Sequence, residues 1–171
     1  QIILGMPVIN RSNIIEKETM GMFISTMPLV LNVNENLTMK SLLEQISSEH
    51  FNLFKHQKFP FAEIKKILKE KHNYNNKLFD VTVSYQNTRT KLNDNLNISS
   101  NWYFNGASET SLVIHIMDFF DTGKFSLNFD YITSVFTSTE INYIKRKFIR
   151  SIKLRGKVGG KRIGSFYFKK H

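Results

Sequence analysis

Segments with a strand-like or a helix-like hydrophobic pattern follow one another along the chain. Ile2–Val8 is an apolar run interrupted by Gly5 and Pro7. The polar stretch Asn10–Thr19 and a second extended run, Gly21–Val33, come after it. Apolar runs bounded by polar, turn-forming residues are typical of strands. The pattern therefore predicts two strands joined by a loop.

Two helices are predicted next. Thr38 can cap a helix over residues 39–56, and the ring of Pro60 suits the first turn of another helix, which ends before the polar segment Asn73–Lys77. Apolar residues recur at helical spacing in both, which predicts one core-facing side for each helix. These residues are Met39, Leu42, Leu43, Ile46, His50, Leu53 and Phe54 in the first helix, and Phe61, Ile64, Ile67 and Leu68 in the second.

The hydrophobic period changes to two from Phe79 onward, which predicts a strand that ends before a polar surface loop over Asn87–Asn101. Ser111–Phe120 and Lys124–Tyr131 flank an Asp-Thr-Gly turn and predict a hairpin. Its first strand is apolar on both faces except at His115, as expected of an interior strand.

Thr137 and Glu140 form a capping box for a last helix. Its inward residues are expected to be Ile141, Ile144, Phe148 and Ile152. Interspersed strands and helices predict an α/β or α+β fold, with a mixed sheet flanked by helices. No periodic core face follows Ile152, so residues 1–152 are expected to form the domain and residues 153–171 a basic tail outside it.

The net charge of +10 lies at one end of the chain. Residues 1–138 hold 13 basic and 13 acidic side chains, whereas residues 139–171 hold 11 basic side chains and only Glu140 as an acid. A neutral body with a basic end attracts any polyanion without specificity, so we expect no specific nucleic-acid function. The sequence also has no cysteine, no run of about 18 apolar residues and no initiator methionine. These features favour a soluble cytoplasmic chain that is a fragment of a longer protein.

The residues alone indicate no catalytic or metal site. The chain contains no Gly-x-Ser-x-Gly, no phosphate-binding glycine loop and no paired metal-ligand histidines. His115 is expected to be a core histidine bonded to the backbone. The carboxylates near loops lack an acid–base spacing and are expected to be solvated turn residues; they are Glu16, Glu18, Asp118 and Asp121.

Three motifs resemble successive signatures of the condensation domains of non-ribosomal peptide synthetases. Residues 5–11 read Gly-Met-Pro-Val-Ile-Asn-Arg, residues 20–29 Met-Gly-Met-Phe-Ile-Ser-Thr-Met-Pro-Leu, and residues 56–61 His-Gln-Lys-Phe-Pro-Phe. Residues 79–87 also resemble the strand of that family that ends in Gln-Asn. The resemblance covers about residues 3–152. Some polar positions depart from the family pattern: Ser25 stands for Asn, Val30 for Arg, Lys58 for Asp and Ala62 for Glu.

The resemblance implies the second, C-terminal lobe of a chloramphenicol-acetyltransferase-like fold. In the parent, carrier proteins would present donor and acceptor acyl groups on phosphopantetheine arms, and an amide bond would form between them. The catalytic His-His-x-x-x-Asp-Gly motif belongs to the N-terminal lobe, and no His-His pair occurs in this sequence. The fragment is therefore expected to be inactive alone, with no directly bound cofactor, no metal, no membrane partner and no catalytic residue of its own.

Five polar residues within apolar signatures are expected to face the lobe junction or the substrate tunnel: Asn10, Arg11, Ser25, Thr26 and Gln86. The remaining motif residues are expected to serve folding, and they are Gly21, Phe23, His56, Gln57, Pro60 and Phe61. The alternatives are an epimerisation or ester-forming relative of the same fold, and a non-catalytic docking platform for carrier proteins.

Overall fold

The computed structural model describes residues 1–87, 103, 106–118, 124–154 and 162–170, of which residues 124, 152–154 and 162–170 are described by their backbone. These residues form six strands and four helices. In chain order they are β1 (Ile2–Val8), α1 (Ile14–Glu18), β2 (Ser25–Leu31), α2 (Met39–Lys55), α3 (Phe61–His72), β3 (Val81–Gln86), β4 (Leu112–Met117), β5 (Lys124–Tyr131), α4 (Ser138–Leu154) and β6 (Arg162–Lys170).

The chain divides into two compact units, residues 1–82 and residues 83–171, and β3 runs across the boundary. In the first unit β1 pairs antiparallel with β2, with Ile2 opposite Leu31 and Val8 opposite Ser25. On its other side, β1 pairs parallel with the start of β3, with Gly5 opposite Thr82. The strand order in this unit is β2-β1-β3.

The core of the first unit forms where α2 covers these strands. Its buried members are Val8, Met27, Leu29, Leu31 and Leu53. The side chain of Thr38 accepts a hydrogen bond from the backbone N–H of Ser41 and caps α2, as predicted. Pro60 lies one position before α3, as its N-cap residue, rather than within the first turn. Asn73 ends α3 in the left-handed conformation with φ of 51°, which asparagine tolerates better than most residues.

The second unit has the strand order β3-β4-β5-β6. β4 and β5 pair antiparallel over six residues, which confirms the predicted hairpin strands, although the turn between them lies outside the described residues. The capping box of α4 is present: the backbone N–H of Thr137 donates to Oε2 of Glu140 at 2.8 Å, and the backbone N–H of Glu140 donates to Oγ1 of Thr137 at 3.3 Å. These observations confirm the predicted α/β class with a mixed sheet and flanking helices.

Two elements of the structure were not predicted. The stretch expected to be a loop between β1 and β2 contains the five-residue helix α1, which is too short to show a hydrophobic period. Arg162–Lys170 pairs parallel with β5 as strand β6. Gly164 inside this nine-residue strand and the charged residues at its ends leave a weak alternation of apolar residues, and the sequence therefore did not predict it. Whether residues 153–171 belong to the domain stays a prediction.

The predicted surface loop over Asn87–Asn101 lies outside the described residues, apart from Asn87. Within the part of the chain that the structure describes, no helix is long and apolar enough to cross a membrane.

Candidate functional site

The connection between β1 and β2 is a compact loop built around Arg11. Its guanidinium donates through Nη1 to the backbone carbonyls of Glu16 and Thr19, the latter at 2.6 Å, and through Nη2 to the carbonyl of Gly21 at 2.7 Å. The same group lies 4.1 Å from the ring centroid of Phe23. One planar cation thus binds three carbonyls and an aromatic face, which holds both ends of the loop together.

Glu16 provides a second anchor in this loop. Its Oε2 accepts hydrogen bonds from the backbone N–H and the hydroxyl of Ser12, at 2.7 and 3.0 Å. Its Oε1 lies 2.7 Å from Nζ of Lys58, which also donates to the carbonyl of Asn10 at 2.9 Å. The hydrogen bond from Lys58, with those from Ser12, lowers the pKa of Glu16 from 4.5 to about 2. Glu16 therefore stays ionised and ties the loop to the α2–α3 connection, so it is not the solvated turn residue that was expected.

We expect Glu16→Gln to reduce the acid sensitivity of the fold. Because the folded-state pKa is lowered, the carboxylate stabilises the fold above about pH 4.5, and this contribution is lost as the pH falls towards 2. The thermal midpoint of the variant should lie below that of the wild type near neutral pH, and the two should converge in that acidic window. Thermal unfolding followed by circular dichroism across the window measures the difference.

Glu18→Gln is the matched control, because Glu18 is an exposed carboxylate two residues away in the same loop. The control should follow the wild-type pH dependence. A midpoint difference between wild type and Glu16→Gln that is constant with pH would contradict the ionic role of Glu16.

The outer surface of the same loop is unusually apolar. Met20 and Met22 are 99% and 93% exposed, and four isoleucines around them are also exposed, namely Ile9, Ile14, Ile15 and Ile24. Single exposed apolar side chains are ordinary on protein surfaces, but six large ones in the one segment from Ile9 to Ile24 favour a contact surface there. Arg11 and Glu16 therefore hold together a loop that presents large apolar side chains outward.

Four of the five residues predicted to face the lobe junction lie at one end of the β1–β2 pair. Asn10 and Arg11 follow β1, and Ser25 and Thr26 begin β2, opposite Val8 and Pro7. All four are half-buried. Gln86 lies in the second unit, where its side chain donates to the hydroxyl of Ser84 at 3.3 Å. That these five residues face a lobe junction stays a prediction.

The remaining motif residues occupy turns and helix ends. His56 caps the C-terminus of α2 through its backbone N–H, and the N–H of Phe59 donates to the His56 carbonyl at 3.0 Å. The N–H of Gln57 donates to the carbonyl of Phe54 at 3.4 Å. Phe61 packs on Phe79, with ring centroids 5.3 Å apart. Gly21 has a φ of 149°, a conformation that favours glycine.

A buried polar face lies on β4 and β5 in the second unit. His115 Nε2 is 3.3 Å from Oδ2 of Asp130, and Asn128 lies opposite His115 in the antiparallel pair. All three are buried, which confirms His115 as a core residue, but the contact described for its side chain is with a carboxylate. Asp118 is 3% exposed and lies 3.4 Å from the hydroxyl of Tyr85. The expectation of a solvated turn residue at Asp118 is therefore wrong, because its backbone N–H still donates to the carbonyl of Gln86 in β3, at 2.8 Å. Asp121 lies outside the described residues.

The described residues hold no group of three or more His, Cys, Asp or Glu side chains that could bind a metal ion. The described residues provide a cation-anchored loop, an apolar outer face and a buried polar sheet face.

The comparison with protein families supports the resemblance seen in the motifs. The family model described as "Condensation domain" matches residues 1–154. The chain belongs to the condensation-domain family. Surfactin synthase subunit 1 of Bacillus subtilis (strain 168) is 31% identical over 148 residues, which are 86% of this chain and 4% of that protein. Bacitracin synthase 1 of Bacillus licheniformis is 24% identical over 152 residues, which are 87% of this chain and 3% of that protein.

Solved condensation domains share the fold. The starter condensation domain of rhizomide synthetase RzmA superposes with a TM-score of 0.57 at 21% identity, over 90% of this chain and 35% of that one. The condensation domain from Monacolin K polyketide synthase MokA gives a TM-score of 0.53 at 18% identity, over 69% of this chain and 28% of that one. The chain thus spans about a third of a solved condensation domain, and less than a twentieth of the two curated relatives.

The Glu16–Lys58 pair is the feature of the site that sequence reasoning missed. In the sequence, Lys58 is only a departure from the acidic residue of the condensation-domain motif. The two residues are 42 positions apart, and opposite charges at such a separation are too common in any sequence to indicate a contact. In this chain, Lys58 forms an ion pair with Glu16.

Proposed function

We propose that this chain is the C-terminal lobe of a condensation domain from a non-ribosomal peptide synthetase, whose intact parent joins two carrier-bound acyl groups by an amide bond. The family match over residues 1–154 carries the proposal. The share of the RzmA domain that is covered, 35%, supports a partial domain. The proposed tail outside the condensation domain, residues 153–171, lies beyond the family match except for residues 153 and 154, although Arg162–Lys170 within it pairs with β5.

The chemistry proposed for the parent is attack by the amine of an acceptor aminoacyl thioester on the carbonyl of a donor thioester. The nitrogen forms a bond to the donor carbonyl carbon, the donor carbon–sulfur bond breaks to release the phosphopantetheine thiolate, and the proton lost by the amine ends on that sulfur. Such a step needs the two reactants held at near-attack distance and a positioned group to manage the proton. This sequence has no paired histidine motif to do so.

The partners proposed are the N-terminal lobe and the carrier proteins. The N-terminal lobe would cover the apolar outer face of the β1–β2 loop, including Met20 and Met22, because a contiguous apolar surface in water favours association. Arg11 and Thr26 lie beside this face and would border the junction. Phosphopantetheine would enter as the arm of a carrier protein rather than as a cofactor bound by this chain.

We expect the purified chain to form no product from a donor acyl-carrier thioester and an acceptor aminoacyl-carrier thioester. The same substrates should give the condensed product when an N-terminal lobe carrying the His-His-x-x-x-Asp-Gly motif is fused ahead of residue 1. Mass spectrometry of the acceptor carrier detects the product. The control is the same fusion with the second histidine of that motif replaced by alanine, which should be inactive.

Product formed by residues 1–152 alone would contradict the proposal of an incomplete active site. It would direct attention to His115 as a base, since it is a buried histidine beside a carboxylate. An epimerised or esterified product from the active fusion would instead support a relative of the same fold with a different reaction.

A further inference from the structure

The solvent side of α4 is strongly cationic. Arg146, Lys147 and Arg150 are exposed, and Tyr143, 55% exposed, precedes them at the same helical spacing. Nζ of Lys147 lies 5.3 Å from the ring centroid of Tyr143. We call these four residues the α4 stripe. Glu140, in the first turn, is the only acidic residue in the sequence of α4, and no acidic residue follows it, so the stripe itself contains no offsetting charge.

Helix stability does not explain the α4 stripe. Cations favour the last turn of a helix because they complement its dipole, but this effect is confined to that turn. α4 ends at Leu154, and Arg146 and Lys147 lie about two turns earlier. Arg146 and Arg150 are like charges four residues apart, a spacing that destabilises a helix. Among the described residues, no carboxylate lies within ion-pair distance of Arg146, Lys147 or Arg150.

We propose that the α4 stripe is the docking surface for an acidic face of a carrier protein. This inference rests on the proposed function, which makes carrier proteins the partners, and on their typically acidic surfaces, which complement the stripe. Complementary charge speeds encounter and fixes orientation, and arginine and tyrosine are the side chains that most often dominate the energy of a protein interface. Tyr143 would add an aromatic contact at the N-terminal end of the stripe.

A protein partner fits the stripe better than a nucleic acid does. The stripe extends about 11 Å along the helix, the rise of seven residues. Three cations over that length offer few phosphate contacts, whereas tight binding to duplex DNA usually neutralises about 6–10 phosphates.

The test compares two double charge reversals in the purified chain. Arg146→Glu with Arg150→Glu alters the α4 stripe. Lys66→Glu with Lys69→Glu alters α3, where both lysines are also exposed, and lowers the net charge by the same amount. The probe is a phosphopantetheine-loaded acidic carrier protein, with a short DNA duplex as the second probe. Binding is measured by calorimetry at low and high salt, after circular dichroism has shown that both variants fold.

We expect the α4 reversal to weaken carrier binding about tenfold at low salt and less at high salt, because exposed charges are screened. The α3 reversal should leave carrier binding within about twofold of the wild type, as mutations far from an interface do. The neutral variant Arg146→Gln with Arg150→Gln should show an intermediate loss, and it replaces the reversal if the latter fails to fold.

Equal losses in both reversals would overturn the docking site, since they would reflect net charge alone. So would an unchanged affinity in the α4 variants, or no binding of the carrier to the wild-type chain. A loss of DNA binding larger than the loss of carrier binding would assign the stripe to nucleic acid instead. Turnover by the fused protein is independent of these results: its absence would reject the proposed function, whereas its presence with unaltered carrier binding would reject only the α4 site.

Discussion

Gly5→Ala should destabilise the chain by about 2 kcal/mol, and Gly5→Val by about 3 kcal/mol or more, as overpacking of a filled site does. A Cβ at Gly5 would lie 2.7 Å from Cδ2 of Phe79 and 2.7 Å from Oγ1 of Thr82, and it would also clash with Cε2 of Phe79. Neither neighbour can move easily, because Phe79 packs on Phe61 and Thr82 is buried opposite Gly5. Urea unfolding of the purified chain gives the free-energy difference.

Gly106→Ala separates crowding from backbone effects. Gly106 has a φ of 86° and no heavy atom within 4 Å of an added Cβ. Gly106→Ala should therefore lower the free energy of unfolding by about 1 kcal/mol, through backbone strain alone. Combining Gly5→Ala with Phe79→Leu should cost less than the sum of the two single changes, because the smaller side chain makes room. Strict additivity, or a Gly5→Ala variant as stable as the wild type, would show that the close approach at Gly5 does not constrain the fold.

Phe129→Ala should destabilise the chain by about 3–5 kcal/mol, the usual cost of a cavity left by a buried aromatic ring. Phe129 is 0% exposed on β5 and meets Phe148 of α4 edge to face, with ring centroids 6.3 Å apart. Its removal therefore opens a cavity and also weakens the packing of α4 on the strand. Urea unfolding measures the loss.

Phe51→Ala is the matched control, because it removes the same ring from a position on α2 that is 72% exposed. This change should alter the free energy of unfolding by no more than about 0.5 kcal/mol. Similar losses in the two variants would mean that Phe129 is not a core residue of the chain in solution.

Local sequence signals were sufficient where an element is formed mainly by its own residues. Thr38 caps α2 and the Thr137–Glu140 box caps α4, as predicted, because both arrangements use residues three positions apart. The period of two over Lys124–Tyr131 also predicted β5 correctly, since successive side chains of a strand point to opposite faces. The motif order predicted the family for the same reason, because each motif is a local segment.

Contacts between distant residues could not be predicted in this way. Glu16 and Lys58 are 42 positions apart, and nothing near either residue indicates the other. The burial of Asp118 and Asp130 was equally hidden, because a carboxylate is normally exposed and only the neighbouring strands show that these two are not. In the sequence, Lys58 is only a departure from the family pattern, whereas the structure shows it paired with Glu16.

The sequence by itself determined the strands and helices other than α1 and β6, the caps of α2 and α4, the neutral body with a basic end, and the membership of the condensation-domain family, because each depends on residues close together in the chain. The tertiary structure alone decided which polar residues are buried, which cation anchors the β1–β2 loop, and which apolar side chains remain exposed on it. The physical reason is that burial and pairing depend on the elements that chain folding brings alongside a residue. Arg11 shows this best: the sequence predicts only that it faces the lobe junction, and the fold places its guanidinium against three carbonyls and the ring of Phe23.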